Sequence, residues 1–289
     1  MRTVKHLAHL LFSLAVTVLL GGFLTAALVR LSPGFGVDQH ELDPTRDVAA
    51  LRALQAARPE QGSFLAYSVR HTAAMFRGDL GISRNWNRPV AGLLQERWPV
   101  TAQLMAAGLL GGWALALAFA LPGAIYPTRI WNALAAGLSG LLLCVPSAAL
   151  ALLIFAYAGP VRAVVALTVF PRVFQYLRNV LAHAASQPHV MAARARGIGP
   201  ARILLWHVVP VAAPQTLALA GVSVSMAFGA AVAVEVVCDF PGIGQLAWKA
   251  ALARDLPLLV TLTMLVTLAT QMANALAGMF STGRKEARA

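Results

Sequence analysis

Long uncharged apolar segments recur along this chain and constrain its fold more than any other feature. A bilayer core about 30 Å thick is crossed by about 20 consecutive apolar residues in an α-helix. Residues 10–29 contain no charged side chain, and residues 100–126 are uncharged and long enough to cross with some tilt. The sequence therefore predicts an all-α membrane protein, built as a polytopic bundle of transmembrane helices.

The composition supports contact with lipid. Only 12% of the 289 residues are charged and 58% are hydrophobic, whereas a soluble domain keeps about a quarter of its residues charged. The net charge of +12 would suggest nucleic-acid binding in a soluble protein. Here the charges lie between apolar segments rather than on one face, so we expect no nucleic-acid partner.

Four further segments are predicted to cross the membrane, which makes about six transmembrane helices. The second of the four is the weakest, because Arg172 and Arg178 lower its hydropathy. Without it, the basic segment that follows and the basic carboxyl tail would fall outside the membrane. The four segments are 130–158, which contains Pro146, 161–185, 214–237 and 257–280.

Lys and Arg in short loops set the orientation of a polytopic membrane protein. Given six spans, the basic loops all fall on one side, which we predict to be cytoplasmic together with both chain termini. The residues concerned are Arg2, Lys5, Arg129, Arg194, Arg196, Arg202, Arg284, Lys285 and Arg288. The near-neutral segment 37–97 and the loop 239–255 are predicted to lie outside.

Three regions follow from this topology. They are a first transmembrane helix at 1–31, an extracytoplasmic segment at 32–98 with some helix around 48–57, and a transmembrane domain at 99–289 that contains a cytoplasmic loop, 188–210. The outer segment is polar, mixed in charge sign and punctuated by Pro and Gly, which is typical of chain outside the membrane.

The chain lacks the residues of an ATPase site. A phosphate-binding loop ends in Lys followed by Ser or Thr. The lysines and the residues that follow them are Lys5 and His6, Lys249 and Ala250, and Lys285 and Glu286. We therefore expect no enzymatic activity and no cofactor in this chain, so that any ATP must be hydrolysed by a partner. The closest pairs among the seven histidines are His6 with His9 and His183 with His189, and no carboxylate lies near either pair in the sequence, so no metal site is expected either.

The loop 188–210 reads PHVMAARARGIGPARILLWHVVP and is basic, rich in small residues and interrupted by Gly197 and Gly199. Its alanines would let a short helix lie close against another surface, and glycine permits a turn that a branched residue resists. A docking site for a soluble partner and an ordinary positively charged loop both fit this composition.

The same loop resembles the EAA loop of binding-protein-dependent permeases, and more closely that of the dipeptide/oligopeptide/nickel permease family. The resemblance rests on Ala192, Ala193, Arg194, Ala195, Arg196 and Gly197, followed by His207 and Pro210. Met191 stands where the broad motif has Glu. The resemblance implies that these residues couple the chain to an ATPase.

Three further segments resemble the same family in the same order, so that nearly the whole chain is covered. Residues 77–83, followed by 88–90 and 96–97, resemble its outer segment, and residues 145–147 resemble a proline-serine element of its third span. The signature before its last span is resembled by Glu235, Phe240, Pro241, Gly242, Ile243 and Gly244, followed by 253–257.

The resemblance implies a B-type permease subunit of an ATP-binding-cassette importer in the cell inner membrane, because a long outer segment follows the first span. It further implies a second permease subunit as heterodimer partner, two ATP-binding subunits that hold ATP and magnesium, and an extracytoplasmic solute-binding protein. Peptide is the default cargo, and nickel or another small solute is the alternative. The short connection at 159–162 and the unusual carboxyl tail leave the substrate class open.

Two sites are candidates for the translocation path or its gate. Arg172 is near the middle of a span, where a charge is costly unless it faces a wet interior or a partner. A path-lining role and a pairing with the second permease both remain open for it. Glu235 and the turn formed by Pro241, Gly242 and Gly244 either shape an outer gate or form a structural re-entry loop.

Two other classes of function are alternatives. A secondary transporter usually shows midplane carboxylates and repeated broken spans, and neither is evident in the sequence. A non-transporting structural membrane subunit is the remaining alternative, and it would not stimulate a partner ATPase in response to substrate.

Overall fold

The computed structural model describes residues 2–31, 70–75, 77–125, 128–157 and 159–286. The predicted helix around 48–57 lies outside the described residues. So do the side chains of the basic residues at the two ends of the chain, on which the predicted orientation partly depends.

The described chain is helical almost throughout, with one small antiparallel pair of strands. The helices are α1 (Arg2–Leu31), α2 (Val90–Ile125), α3 (Arg129–Cys144), α4 (Ser147–Ala156), α5 (Arg162–Ala185), α6 (Pro188–Ala195), α7 (Pro200–Ile203), α8 (Val209–Val237), α9 (Ile243–Leu252) and α10 (Leu256–Glu286). A wide π-type turn (Leu204–Val208) joins α7 to α8, and the strands are β1 (Ile82–Ser83) and β2 (Arg88–Pro89).

Within the described ranges, four helices are long and apolar enough to cross a membrane. They are Phe12–Leu31, Val90–Ile125, Pro200–Val237 and Leu256–Gly278. A fifth span results if α3 and α4 are counted together. The chain is therefore a polytopic helical membrane protein, while the count of six and the side on which each terminus lies stay predictions.

The third predicted span is a pair of helices rather than one interrupted helix. α3 and α4 meet at an angle of 96°, and the two residues between them, Val145 and Pro146, are extended, with ψ of 120° and 141°. Proline has no N–H to donate and forces the residue before it out of the helical region. The helix therefore ends before Pro146 and restarts after it in a new direction.

The chain forms two compact units, one from Met1–Trp98 and Gln245–Ala269, the other from Pro99–Gly244 and Thr270–Ala289. In the first unit, α1 packs on the amino-terminal half of α10 through Ala26, Leu256 and Met264. Gly22 allows this approach, because a Cβ there would lie 2.7 Å from the Met264 side chain. The remaining surface of α1 is largely exposed, as a lipid-facing helix requires.

The second unit is built around α5, which packs against α3, α4 and α8. The rings of Phe170 and Phe174 stack at 5.8 Å, and Phe119 of α2 lies 5.6 Å from Phe170. Along α5, buried residues recur from Val164 to Ala184. Protein rather than lipid covers much of this helix, which explains why its hydropathy is the weakest of the predicted spans.

Candidate functional site

The loop at 188–210 is shaped by a glycine turn. The φ of Gly197 is +74°, a left-handed conformation that is costly for residues with a Cβ. The amide of Gly197 donates to the Arg194 carbonyl at 2.9 Å, and the amide of Ile198 donates to the Ala193 carbonyl at 3.3 Å. This pair of bonds is the Schellman arrangement, which satisfies the last carbonyls of a helix and stops it. α6 is consequently a short helix with a fixed end.

α6 presents two different faces. Val190 and Ala193 are buried, so Ala193 belongs to the face that anchors the helix to its own chain. The other motif residues are exposed, namely Ala192, Arg194, Ala195, Arg196 and Gly197. The exposed face is therefore small and basic, and it offers the surface that a soluble partner would meet.

His207, in the second half of the motif, contacts α6 through His189. His189 Nε2 lies 3.3 Å from the carbonyl oxygen of His207, and the two imidazole rings stack at 6.5 Å. His207 Nδ1 is buried and has no hydrogen-bond partner among the described residues. The His189–His207 contact thus ties α6 to the chain that leads into α8.

The wide turn before α8 has a local cause. The amide of Val209 donates to the carbonyl of Leu204, five residues earlier. Pro210 has no N–H, and in a regular α-helix its ring would collide with the carbonyl four residues earlier, that of Trp206. A single turn of π-helix relieves this collision, and such turns are frequent at functional sites. Pro210 itself is half-buried.

A cleft of about 320 Å³ opens beside α6. It is bordered by the end of α2, by Arg194 and by the chain from Ile198 to Val208. Arg194 is the charged residue in its otherwise largely apolar lining. The cleft and the exposed face of α6 therefore share one motif residue.

Glu235 is fully buried at the end of α8 and accepts hydrogen bonds from its own chain. The hydroxyl of Thr101 on α2 donates to Oε1 at 2.7 Å, and the amide of Gly244 donates to Oε2 at 2.6 Å. Thr101 Oγ1 also accepts from the amide of Ile243 at 2.8 Å. We name this arrangement of Glu235, Thr101 and the turn 240–244 the carboxylate cage.

The glycines of the carboxylate cage are required by its geometry. A Cβ on Gly242 would overlap the Glu235 carboxylate, and one on Gly244 would lie 2.7 Å from the Val232 Cα atom. Pro241, by contrast, is exposed. The turn is folded around the carboxylate, an arrangement suited to anchoring the chain at the end of α8.

Arg172 faces a different environment. It is exposed on α5 and lines a cleft of about 330 Å³ at the bend between α3 and α4. Nothing among the described residues makes a hydrogen bond or an ion pair with its guanidinium. Ser147, Thr168, Ser225, Met226 and Gly229 line the same cleft. We name it the Arg172 cleft. The structure does not bring Arg172 to Glu235 or to residues 192–197 of the loop 188–210.

A polar cluster in the first unit has no counterpart among the sites predicted from the sequence. Asp255 is buried and accepts from the Ser83 hydroxyl at 2.5 Å, from the Asn85 amide at 3.1 Å and from the Leu258 amide at 3.3 Å. It thus caps the start of α10 and holds the strand pair. The sequence gives one indication of this cluster: the segments 77–83 and 253–257, which contain Ser83 and Asp255, both resemble motifs of the permease family.

His71 lies close to this cluster within the first unit. Its Nε2 is 3.1 Å from Thr261 Oγ1, and that hydroxyl also lies 3.3 Å from the Leu80 carbonyl. Burial lowers the pKa of His71 below its ordinary value, and the charge of Asp79 opposes that shift. The neutral imidazole is therefore favoured in the folded chain.

Comparison with known proteins gives a consistent result. A family model described as "Binding-protein-dependent transport system inner membrane component" matches residues 108–284, which include the loop 188–210 and the carboxylate cage turn. The dipeptide transport system permease protein DppB of Lactococcus lactis subsp. cremoris (strain MG1363) is 24% identical over 279 residues, covering 90% of this chain and 91% of that protein.

Two similar proteins come from Brucella. A putative peptide permease of Brucella ovis is 25% identical over 292 residues and covers 88% of this chain and 87% of its own length. A putative peptide transport system permease of Brucella abortus (strain 2308) is 29% identical over 210 residues, covering 63% of this chain and 67% of that protein.

Proposed function

Because the chain belongs to the family of binding-protein-dependent transport system inner membrane components, we propose that it forms half of the translocation pathway of an ATP-driven peptide importer. It is a multi-pass inner-membrane protein, and its role in the importer is that of the B-type permease subunit. The observation that carries the proposal is the exposed, small and basic face of α6, closed by the left-handed turn at Gly197.

The partners follow from this role. A second permease subunit completes the pathway as a heterodimer, an extracytoplasmic solute-binding protein delivers the cargo, and two ATP-binding subunits hold ATP and magnesium. Peptide is proposed as the cargo because the similar proteins are named as dipeptide or peptide permeases. Nickel or another small solute is the alternative cargo.

Coupling is proposed to run through α6. The exposed Ala192 and Ala195 let an ATP-binding subunit approach the helix closely, and Arg194 and Arg196 provide charge. The buried face of α6 and the His189–His207 contact pass its displacement to α8. The ATPases can shift the inward-open and outward-open states only through contacts that differ between them, and this face supplies such contacts.

The other two candidate sites, the Arg172 cleft and the carboxylate cage, have separate proposed roles. We place the Arg172 cleft on the pathway, since it is open and carries a charge with no partner in the described chain. The carboxylate cage moves as one piece with the end of α8, because Glu235 is hydrogen-bonded within its own chain. Its role in an outer gate is therefore that of a rigid anchor rather than a substrate contact.

The test is a reconstituted complex of both permeases, the ATPases and the binding protein in proteoliposomes. We expect ATP-dependent uptake of labelled dipeptide, and we expect Gly197→Asp to abolish it while the protein remains inserted. Gly199→Asp is the matched control, because Gly199 has a φ of −65° and nothing lies within 4 Å of a Cβ built on it. Wild-type uptake by Gly197→Asp would contradict the coupling role.

The alternatives give different results in the same assay. Uptake of labelled nickel but not of dipeptide would show that the cargo is nickel, and the proposed role of the chain as a permease subunit would stand. Uptake driven by an ion gradient in the absence of the ATPases would indicate a secondary transporter. A complex whose ATPase rate does not respond to substrate and binding protein would indicate a structural subunit.

A further inference from the structure

The Arg172 cleft has an unusual chemical character for a helix that is predicted from the sequence to cross the membrane. A charge within a span is costly and is normally paired or turned toward water. In the described part of the chain nothing pairs with Arg172, although it lies in a cleft rather than on a smooth helix face. The cleft therefore contains a positive charge that has no partner within the described part of the chain.

The polar groups around Arg172 add hydrogen-bond donors. Ser147 and Ser225 line the cleft, and their hydroxyls have no hydrogen-bond partner among the residues that the structure describes. The first turn of α4 also borders the cleft, and Pro146 offers no side chain to cap its free amides. Hydroxyls, free amides at a helix start and a guanidinium all favour an anion.

The volume of the cleft and the positive charge of Arg172 further restrict the kind of ligand that it can bind. A volume of about 330 Å³ is at the small end of the range for ligand pockets, about 300–1,000 Å³. It therefore suits one end of a chain-like molecule better than the whole of it. A metal cation would be repelled by Arg172, while a carboxylate forms two parallel hydrogen bonds with a guanidinium.

We infer that the Arg172 cleft binds a carboxylate, and that this carboxylate is the free carboxyl terminus of the peptide in transit. The inference rests on the proposed peptide-import function and adds the chemical group by which this subunit holds its cargo. The other source of a carboxylate is an acidic side chain of the second permease, and crosslinking to the cargo separates the two.

The experiment uses the complete complex and begins with the wild type. ATP-dependent import of a labelled dipeptide is measured first, and its absence would overturn the proposed function itself. A photoreactive benzoylphenylalanine then replaces Leu143, which is exposed at the edge of the cleft. We expect it to crosslink to the labelled peptide during transport.

The same crosslink is then compared among variants of the two arginines of α5. We expect Arg172→Gln to reduce it by about tenfold or more, as for a lost charge-assisted hydrogen bond, and Arg172→Lys to retain part of it. Arg178→Gln is the matched control, since Arg178 lies on the same helix but does not line the cleft. Undiminished crosslinking in Arg172→Gln would overturn the inference while leaving the proposed function intact.

The chemistry of the ligand is tested with a peptide amide. At saturating binding protein, the carboxyl-terminal amide should crosslink about tenfold less than the acid in the wild type. It should crosslink equally with the acid in Arg172→Gln. A wild-type complex that does not distinguish the two peptides, or one that crosslinks only to the second permease, would show that the cleft does not hold the peptide terminus.

A steric variant gives an independent readout that does not change charge. Nothing lies within 4 Å of a Cβ built on Gly229, which lines the cleft. Gly229→Leu should therefore insert normally and lower import by about tenfold through obstruction. Gly137→Leu is the control, because Gly137 has equal space but lies outside the cleft. Full import by Gly229→Leu would contradict the inference.

Discussion

Glu235 and Arg172 are both ionisable, and both lie on helices of the same compact unit, yet their surroundings are opposite. The carboxylate of Glu235 is fully buried and accepts hydrogen bonds from Thr101 and Gly244. The guanidinium of Arg172 lies in an open cleft and has no partner in the described chain. The carboxylate of Glu235 is hydrogen-bonded within the fold, whereas the guanidinium of Arg172 has no such partner in the described chain, and we propose that a ligand supplies one.

The comparison teaches how structural and functional charges differ in a membrane protein. A buried charge stabilises a fold only when other groups of the fold compensate its desolvation. A charged group that binds a ligand, by contrast, must lack hydrogen-bond and ion-pair partners within its own chain before the ligand binds. The two residues should therefore respond in opposite ways when they are neutralised.

The largest expected effect is that of removing the buried carboxylate. Glu235→Leu leaves the Thr101 hydroxyl and the Gly244 amide as buried donors without an acceptor, at a cost of roughly 2–5 kcal/mol in the free energy of unfolding. Thermal unfolding in detergent should show a clear decrease in Tm. Glu96→Ala, which removes an exposed partner of Arg88, is the control and should leave Tm unchanged. Equal Tm values for wild type and Glu235→Leu would contradict the structural role.

A smaller decrease in Tm is expected when the carboxylate cage is overpacked by an added methyl group while Glu235 is retained. Gly242→Ala places a methyl group on the Glu235 carboxylate, and overpacking of this kind costs about 1–3 kcal/mol. Gly92→Ala is the matched control, because nothing lies within 4 Å of a Cβ at Gly92. The two variants should differ in Tm and in protease resistance. Identical values would mean that the turn 240–244 can shift to accommodate the methyl group without loss of stability.

A still smaller effect extends the comparison to a titratable group outside the spans. Burial lowers the pKa of His71 from its ordinary value of 6.5, so the unfolded chain binds a proton more readily than the folded chain. The stability that neutral His71 contributes is therefore fully present above pH 6.5 and is lost as the pH falls below that value. Tm measured at pH 5 and pH 7.5 should differ more in the wild type than in His71→Gln.

The smallest expected effect on stability is that of Arg172→Gln. Because no group of the described chain bonds to the guanidinium, its loss should leave Tm of this subunit unchanged or slightly raised. Transport should nevertheless fall, so the variant separates folding from function. A decrease in Tm as large as that of Glu235→Leu would show that Arg172 stabilises the fold. It would contradict the proposed difference between Arg172 and Glu235.

The local features of the chain can be predicted from its sequence, because they depend on neighbouring residues. The glycine turn after α6 and the apolar helices follow from composition and spacing. The sequence also indicates an interruption at Pro146, but its angle of 96° depends on what each half packs against. α5 is predicted as a span in spite of its two arginines.

The candidate sites are predictable only in part. The sequence singles out Glu235 and Gly242 together, yet Thr101, a lone hydroxyl in an apolar helix, carries no sequence signal for its place in the cage. Ala193 belongs to the same motif as the exposed residues of α6, although it is buried. Both facts arise from tertiary packing, which brings together residues that are far apart along the chain, as Thr101 and Glu235 are.

The wide turn at Leu204–Val208 has a consequence for everything that follows it along α8. One additional residue in a turn advances each later side chain by about 100° around the helix axis. Ser225, Gly229 and Glu235 all lie beyond that turn, so the direction in which each points depends on its presence. Removing one residue between Leu204 and Val208 would turn a different stripe of α8 toward the cleft and the cage, with no substitution at either one.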